Sequence, residues 1–339
     1  GEIHNCPIAH WMEYEIVKDL YDRHGDRLMI GAEMFERDNQ LILDEYLAGM
    51  ITPERFNAEA KLWPNYKTDY SPIVEFAKEH MIPFVATNVA RRYANMVAKG
   101  GFEALAGLSD EAKRYVAPLP LNYVPNKSVD EYFGAMKMPG MKQSAAENLS
   151  KAQAVKDATM AWSIAERMQS KLVHMNGNFH STDHCGIITY LNQYRPGLKI
   201  GTVEVTDYMM IHRYSKIMHI CSQVEGDIDE KYDACDAIEA VLPAGTLSGA
   251  PKIRACEIIE EQESEPRGVY GGALGYLDFT GNMDTCIAIR MASKKNGIVT
   301  VQAGGGIVAD SVPHNEYMES ANKAKAVMNA IERASEVDG

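Results

Sequence analysis

The chain has 339 residues, of which 46% are hydrophobic, and this suits two domains with separate cores better than one. A formal net charge of −13 disfavours nucleic acid as a general partner, while leaving room for a local positive pocket around an acidic metabolite. Cys6, Cys185, Cys221, Cys235, Cys256 and Cys286 form no C-x-x-C pair and read as free thiols. No 18-residue apolar run occurs, so no spanning helix is expected, and no signal peptide is evident.

In chain order, the block GEIH leaves no room for a strand ahead of it. Apolar spacing then predicts a helix over 8–23 with Pro7 near its first turn. LMIGAEMF (28–35) reads as a buried strand, followed by helical patterns over 38–49, 53–61 and 71–80. IPFVATN (82–88) is a second strand, and RRYANMVAKG a helix stopped by Gly100 and Gly101. Residues 117–148 show little periodicity and predict an insertion or flap. A helix over 150–168, a strand at 171–178, a helix over 184–194 and a last strand from 198 complete this half. Strands alternating with helices predict an α/β fold with a mostly parallel sheet covered on both faces.

The pattern changes near 201. TVEVTDYMMIHRYSKIMHICSQVEG reads as strand, connector and strand, and 231–242 and 252–263 as helices. Three strand-like segments follow between 269 and 307, with Asn296-Gly297 as a hairpin turn that tolerates positive φ. A final helix carries Glu316 and Glu319 three residues apart on one face. The expected organisation is thus an α/β domain over 1–200 and an α+β domain over 201–339.

Ligands of parallel sheets sit beyond the carboxyl ends of the strands. That rule gathers Glu2, His4, Glu33, Asn88, Asn176, His180 and His184 at one rim, with His10 close by. Histidines with carboxylates suit iron or another first-row divalent metal, and ordinary polar loops are the competing reading. Glu2 is either simply solvated at a strand end or placed to orient a nearby imidazole by fixing its tautomer. His180 and His184, spaced i,i+4, share a face only if their segment is helical.

The blocks GEIHNCPIAHW (1–11), GAEMFERDNQLILDEYLAGMI (31–51), KAQAVKDATMAWSI (151–164) and HMNGNFHSTDHCGIITYL (174–191) resemble the ChaN-like family. The resemblance implies an α/β fold related to erythromycin-esterase-like proteins and haem or iron binding through a tyrosine, often at a bacterial envelope. Tyr66, Tyr70, Tyr93, Tyr123 and Tyr132 all remain candidates for that ligand, and VDEYFGAMKMPGM (129–141) is a candidate wall for a porphyrin slot. In esterase-like relatives the same opening block carries acid–base residues, so Glu2, His4, Glu33 and His180 also permit a hydrolase, although no G-x-S-x-G elbow accompanies them.

In the tail, PAGTLSGAPK (243–252), GVYGGALGY (268–276), GNMDTCIAIR (281–290) and QAGGGIVADSVPHNEYMESANK (302–323) resemble the C-terminal part of anthranilate synthase component I, a chorismate-binding enzyme. The resemblance implies that Tyr270 and Arg290 hold a chorismate carboxylate, with the backbone of Gly304, Gly305 and Gly306 lining its site. It places His219 near the ring hydroxyl, Thr246 in the pocket, Glu319 on Mg2+ and Glu316 beside it. Gly305 stands where the family commonly has Ala, and Met291 where it has Thr. The position of the family's other metal-binding glutamate falls on Phe179–Thr182, which contains no acid, so the expectation is a Mg2+ site too weak for turnover. The implied partners are haem, chorismate, a glutamine amidotransferase subunit that delivers ammonia, and a second copy in a homodimer. The location is the cytoplasm if the biosynthetic half defines it, and the envelope if an export signal has been lost.

Overall fold

The computed structural model describes residues 1–135, 143–213 and 218–334, and it divides into two compact units, Gly1–Asp227 and Ile228–Gly339. The first unit opens with α1 (Pro7–His24). Its N-terminus is capped by the Cys6 thiol, which accepts from the Ala9 amide, with proline at the first helical position. β1 (Leu28–Glu36) follows, then α2 (Gln40–Leu47), α3 (Pro53–Glu59) and α4 (Ser71–Glu79). After β2 (Phe84–Asn88) come α5 (Arg91–Gly100), the single turn α6 (Asp110–Lys113), α7 (Lys127–Ala135) and the long α8 (Gln143–Arg167). β3 (Lys171–Met175) and α9 (Ile187–Tyr194) lead to an antiparallel hairpin, β4 (Val203–Arg213) and β5 (Met218–Gly226).

The sheet is parallel, in the order β2-β1-β3. β1 is its centre, and eight of its nine residues are buried, as a strand covered on both faces requires. One face packs on α1, α2, α3 and α4 through Val17, Leu43, Phe56, Ile73 and Val74. The other meets α5, α8 and α9, where Ala154, Ala158 and Ala161 let α8 lie close. Glu2 adds an isolated parallel bridge to Gly177, just past β3.

Two expectations need correction. The region 117–148 is not without periodic structure, because α7 and the start of α8 lie in it. The segment from 198 does not join the parallel sheet. Its strand begins at Val203 and pairs antiparallel with β5, which begins at Met218 and so offers a partner close in sequence.

The second unit contains α10 (Ala234–Val241), the single turn α11 (Gly245–Ser248), α12 (Lys252–Gln262) and α13 (Pro313–Ala334). Its strands form two separate hairpins, β6 (Ala273–Leu277) with β7 (Met283–Ile287), and β8 (Ala292–Lys295) with β9 (Ile298–Val301). Asn296 and Gly297 both take positive φ at the second turn, as a two-residue hairpin demands. Among the described residues of this unit only Ser248 and Ala288 are buried, while Ile253, Phe279, Ile298 and Val308 are fully open.

One position tests how tightly the first unit's sheet is packed. A Cβ on Gly31 would lie 2.9 Å from His174 Cδ2 and 3.2 Å from Thr87 Cγ2. Gly31→Val should destabilise the unit by about 1–3 kcal/mol through overpacking, read as a lower urea midpoint with an unchanged slope.

Candidate functional site

The exits of β1 and β3 and the loop before α1 converge at the carboxyl rim of the sheet. His4, Glu33, Asn88, Gly177 and His180 line one cavity of about 550 Å3. Asn88 is locked there by its side-chain amide, which donates to the Glu33 carbonyl at 3.0 Å.

A buried ion chain holds the rim together. Glu33 Oε1 lies 3.2 Å from His180 Nε2, and its Oε2 accepts from the Gly177 amide at 2.8 Å. His180 Nδ1 pairs with Asp157 of α8. Burial alone would favour a neutral ring, but the charges of Glu33 and Asp157 and their hydrogen bonds push His180 up to about 10. Burial would also raise Glu33, yet the His180 charge and hydrogen bond hold it well below the usual carboxylate range. Asp157 is raised, with burial outweighing His180. His180 is therefore a charged strut with both ring nitrogens donating, and it offers no lone pair to a metal.

A second imidazole repeats the device. His10 Nδ1 lies 3.0 Å from Glu2 Oε2 and 3.4 Å from Glu13 Oε2, and its Nε2 lies 3.0 Å from the His4 carbonyl. Burial opposes its charge, but Glu13 and Glu2 lift it to about 10. Burial pushes Glu13 up to about 8. Glu2 would rise on burial too, but hydrogen bonds to His10, His4 and Tyr70 bring it down to about 2. Glu2, His10 and Glu13 each bring a ligand atom within 4.8 Å of the others, close enough to hold a metal ion.

His4 differs from both. Its Nδ1 lies 2.7 Å from Glu2 Oε1, an arrangement that directs the ring proton to Nδ1 and leaves the Nε2 lone pair free. Its ring packs edge-on against Trp63 with centroids 4.8 Å apart and sits on Gly177, where an added Cβ would come within 2.8 Å of Nε2. Only glycine permits that approach.

His184 does not belong to the cluster. Asp183 takes φ of +56° and breaks the segment into two short turns, so the i,i+4 face never forms. His180 is buried, whereas His184 is exposed and lies 3.4 Å from Asp227.

The cavity wall is basic. Lys61 pairs with Asp38 and Glu36 at 2.8 and 3.2 Å, and Arg92 pairs with Asp38 at 2.5 Å. Arg91 and Lys156 also line it, and neither forms an ion pair among the described residues. Of the candidate tyrosines, Tyr66, Tyr70 and Tyr93 are buried, and the Tyr70 hydroxyl is committed to Glu2 at 2.7 Å. Tyr123 is half-buried. Tyr132 is 41% exposed, and its ring centroid lies 4.8 Å from that of Phe179, which lines the cavity. Of the stretch 129–141, residues 136–141 lie outside the described residues.

Sequence reasoning missed Asp157, Glu13, Arg91 and Lys156. Asp157 had a readable signal, as an acid directly ahead of the mostly apolar run ATMAWSI (158–164) of α8. The others look like ordinary solvated helix charges.

In the second unit, Tyr270 Oη lies 3.4 Å from where a Cβ on Gly304 would be, and Glu316 Oε2 lies 3.2 Å from the same point on Gly305. Arg290 is exposed, at φ +53°, near enough to help hold down the exposed Glu319 after its Lys323 contact. Lys323, also unforeseen, pairs with Glu319 and donates to the Gly304 carbonyl at 3.1 Å. Gly306 and Thr246 are exposed, Thr246 within α11. His219 lies in β5 opposite His212, in the first unit, and its side chain is outside the described residues. Among the described residues, no three acids, histidines or cysteines of the second unit come close enough to hold an ion. Glu319 is paired with Lys323, and Glu316 lies beside the Gly305 backbone.

The ion chain sets a pH dependence. Unfolded histidine titrates near 6.5, so the stability gained from His180 and His10 is complete below that pH and is lost as pH rises towards about 10. The raised Glu13 acts in the same direction between its ordinary value of 4.5 and about 8. The melting temperature should fall steadily over this alkaline range, and His180→Gln should flatten the fall.

Residues 191–329 match the family model described as chorismate binding enzyme. Curated relatives are anthranilate synthase component 1 of Aquifex aeolicus, 57% identical over 138 residues, and of Pseudomonas aeruginosa, 61% identical over 137 residues. These matches cover 41% and 40% of this chain, and the chain spans 28% of the length of each relative. Among solved structures, anthranilate synthase component I from Streptococcus pneumoniae is 54% identical, covering 37% of this chain and 29% of that one, with a TM-score of 0.36. ChaN of Campylobacter jejuni, whose structure is described as showing cofacial heme binding, is 16% identical with a TM-score of 0.43, covering 56% of this chain and 72% of that one. Residues 1–191, more than half of the chain, match the model described as haem-binding uptake, Tiki superfamily, ChaN, and the chain belongs to that family.

Proposed function

We propose that the first domain, residues 1–200, binds haem at the rim cavity. The observation that carries this reading is the meeting of an exposed tyrosine and cationic side chains around one opening. Tyr132 and Phe179 offer an aromatic surface, and Arg91 and Lys156 offer charge for two propionates. The residues fit the group on those grounds. A bound haem supplies an iron that accepts a phenolate ligand, for which Tyr132 is the reachable tyrosine. His4 Nε2, oriented by Glu2, is the second donor facing the cavity, and the charged His180 strut holds Gly177 and hence the His4 ring in place.

Titrating haem into the purified chain should give a shifted, saturable Soret band. Tyr132→Phe should weaken binding by at least about tenfold and change the band's position, while Tyr93→Phe should not. An unchanged band in Tyr132→Phe would refute the assignment.

For the tail, residues 201–339, the reading is a chorismate-type domain that does not turn over its substrate in this chain. The support is the near absence of buried residues in the second unit and the engagement of Glu319 by Lys323. Chorismate, Mg2+ and ammonia added to the chain should produce no anthranilate fluorescence above the blank, and clear turnover would contradict the reading.

A further inference from the structure

We propose that Glu2, His10 and Glu13 form a site for a first-row divalent cation of the zinc type, behind the His4 ring. None of the three lines the rim cavity, and the site does not rest on haem binding there. His10 and Glu13 are three residues apart on α1 and share a face, which is turned towards Glu2 where the chain bridges to Gly177. His10 Nδ1 lies 3.0 Å from Glu2 Oε2 and 3.4 Å from Glu13 Oε2. Two ligand atoms about 2.1 Å from one ion stand about 3.0 Å apart at a right angle and about 3.4 Å apart in a tetrahedron. The three side chains are thus already spaced as ligands of one ion. They are not a solvated acidic face: the side chains of Glu2 and His10 are 0% and 4% exposed, and that of Glu13 is 14% exposed.

The surrounding hydrogen bonds leave the right atoms to the ion. Glu2 Oε1 accepts from the Tyr70 hydroxyl and from His4 Nδ1, each at 2.7 Å. Glu2 Oε2 is buried, and among the described residues no donor is aligned on it. His10 Nε2 faces two acceptors, the His4 carbonyl at 3.0 Å and Asp69 Oδ2 at 3.4 Å, so this nitrogen keeps its proton and Nδ1 is the metal-binding atom. The Asn65 amide fixes both acceptors, donating to the His4 carbonyl at 3.0 Å and to Asp69 at 2.7 Å. No lysine or arginine pairs with Glu2, Glu13 or Asp69 among the described residues. Without an ion, a proton on His10 Nδ1 stands between the two carboxylates. Binding releases that proton to solvent and sets a divalent cation in its place, a gain of one positive charge where three carboxylates meet. One imidazole nitrogen and two carboxylate oxygens, with water reaching the ion from the side of Glu13, suit zinc. Magnesium and calcium favour oxygen ligands throughout.

The test uses the full chain, stripped of metal with a chelator, and Co2+ as the probe. The expected result is a saturable visible absorption band of four-coordinate intensity, which Zn2+ bleaches by displacement, together with a melting temperature raised by Zn2+. Glu13→Gln, with its fold checked by circular dichroism, should weaken Co2+ binding at least about tenfold and abolish the rise with Zn2+. His184→Gln, at an exposed histidine, should leave both unchanged. Cobalt X-ray absorption on the unaltered chain needs no variant and should show nitrogen and oxygen neighbours with a single imidazole. Absence of the band overturns the proposal. So does a band that Glu13→Gln leaves unchanged, a second imidazole on the cobalt, or a sulfur neighbour from one of the free cysteines.

Discussion

The geometry of the rim depends on one buried proton. His180 stands between Glu33 of the central strand and Asp157 of α8, all three nearly inaccessible to water. Without the imidazolium, two carboxylates would face each other in a low dielectric with only the Gly177 amide and the more distant Lys156 to offset them. Leaving a buried charge unpaired costs about 3–5 kcal/mol, comparable to much of a domain's net stability. The chain therefore ties a strand, a helix and the exit of β3 to a single point. That point fixes Gly177, and Gly177 fixes where the His4 ring can lie.

The consequence for function is a division of labour among histidines that are alike in sequence. His10 and His180 have both ring nitrogens engaged by acceptors and brace the site. His4 has Nδ1 held by Glu2 and lines the cavity. The two units differ in the same physical terms. The first closes a core on both faces of its sheet, whereas the second holds Tyr270 beside Gly304 and Glu316 beside Gly305 with almost no burial beneath them.

Much of this was legible in the sequence. The helices and strands of residues 7–100 follow apolar spacing closely, and the rule for strand ends brought Glu33, Asn88 and His180 to one rim. Asn296-Gly297 announced its turn. What failed was non-local. Nothing in residues 178–184 shows that Asp183 adopts a left-handed conformation, which separates His180 from His184. The partner that makes His180 cationic lies 23 residues earlier on α8, and charge state is set by that meeting rather than by spacing. Residues 117–124 looked irregular because their apolar groups serve two clusters, Leu119 packing with α5 and Ala117, Leu121, Tyr123 and Val124 with α9.

The protonation state of His180 is the most direct test of the account. Selective 15N labelling of histidine and observation of the ring nitrogens across a pH series should show His180 with both nitrogens protonated well above 6.5, losing its proton only towards about 10. A neutral ring at pH 7, or a titration near the ordinary histidine value, would contradict the charged strut on which the site's geometry rests.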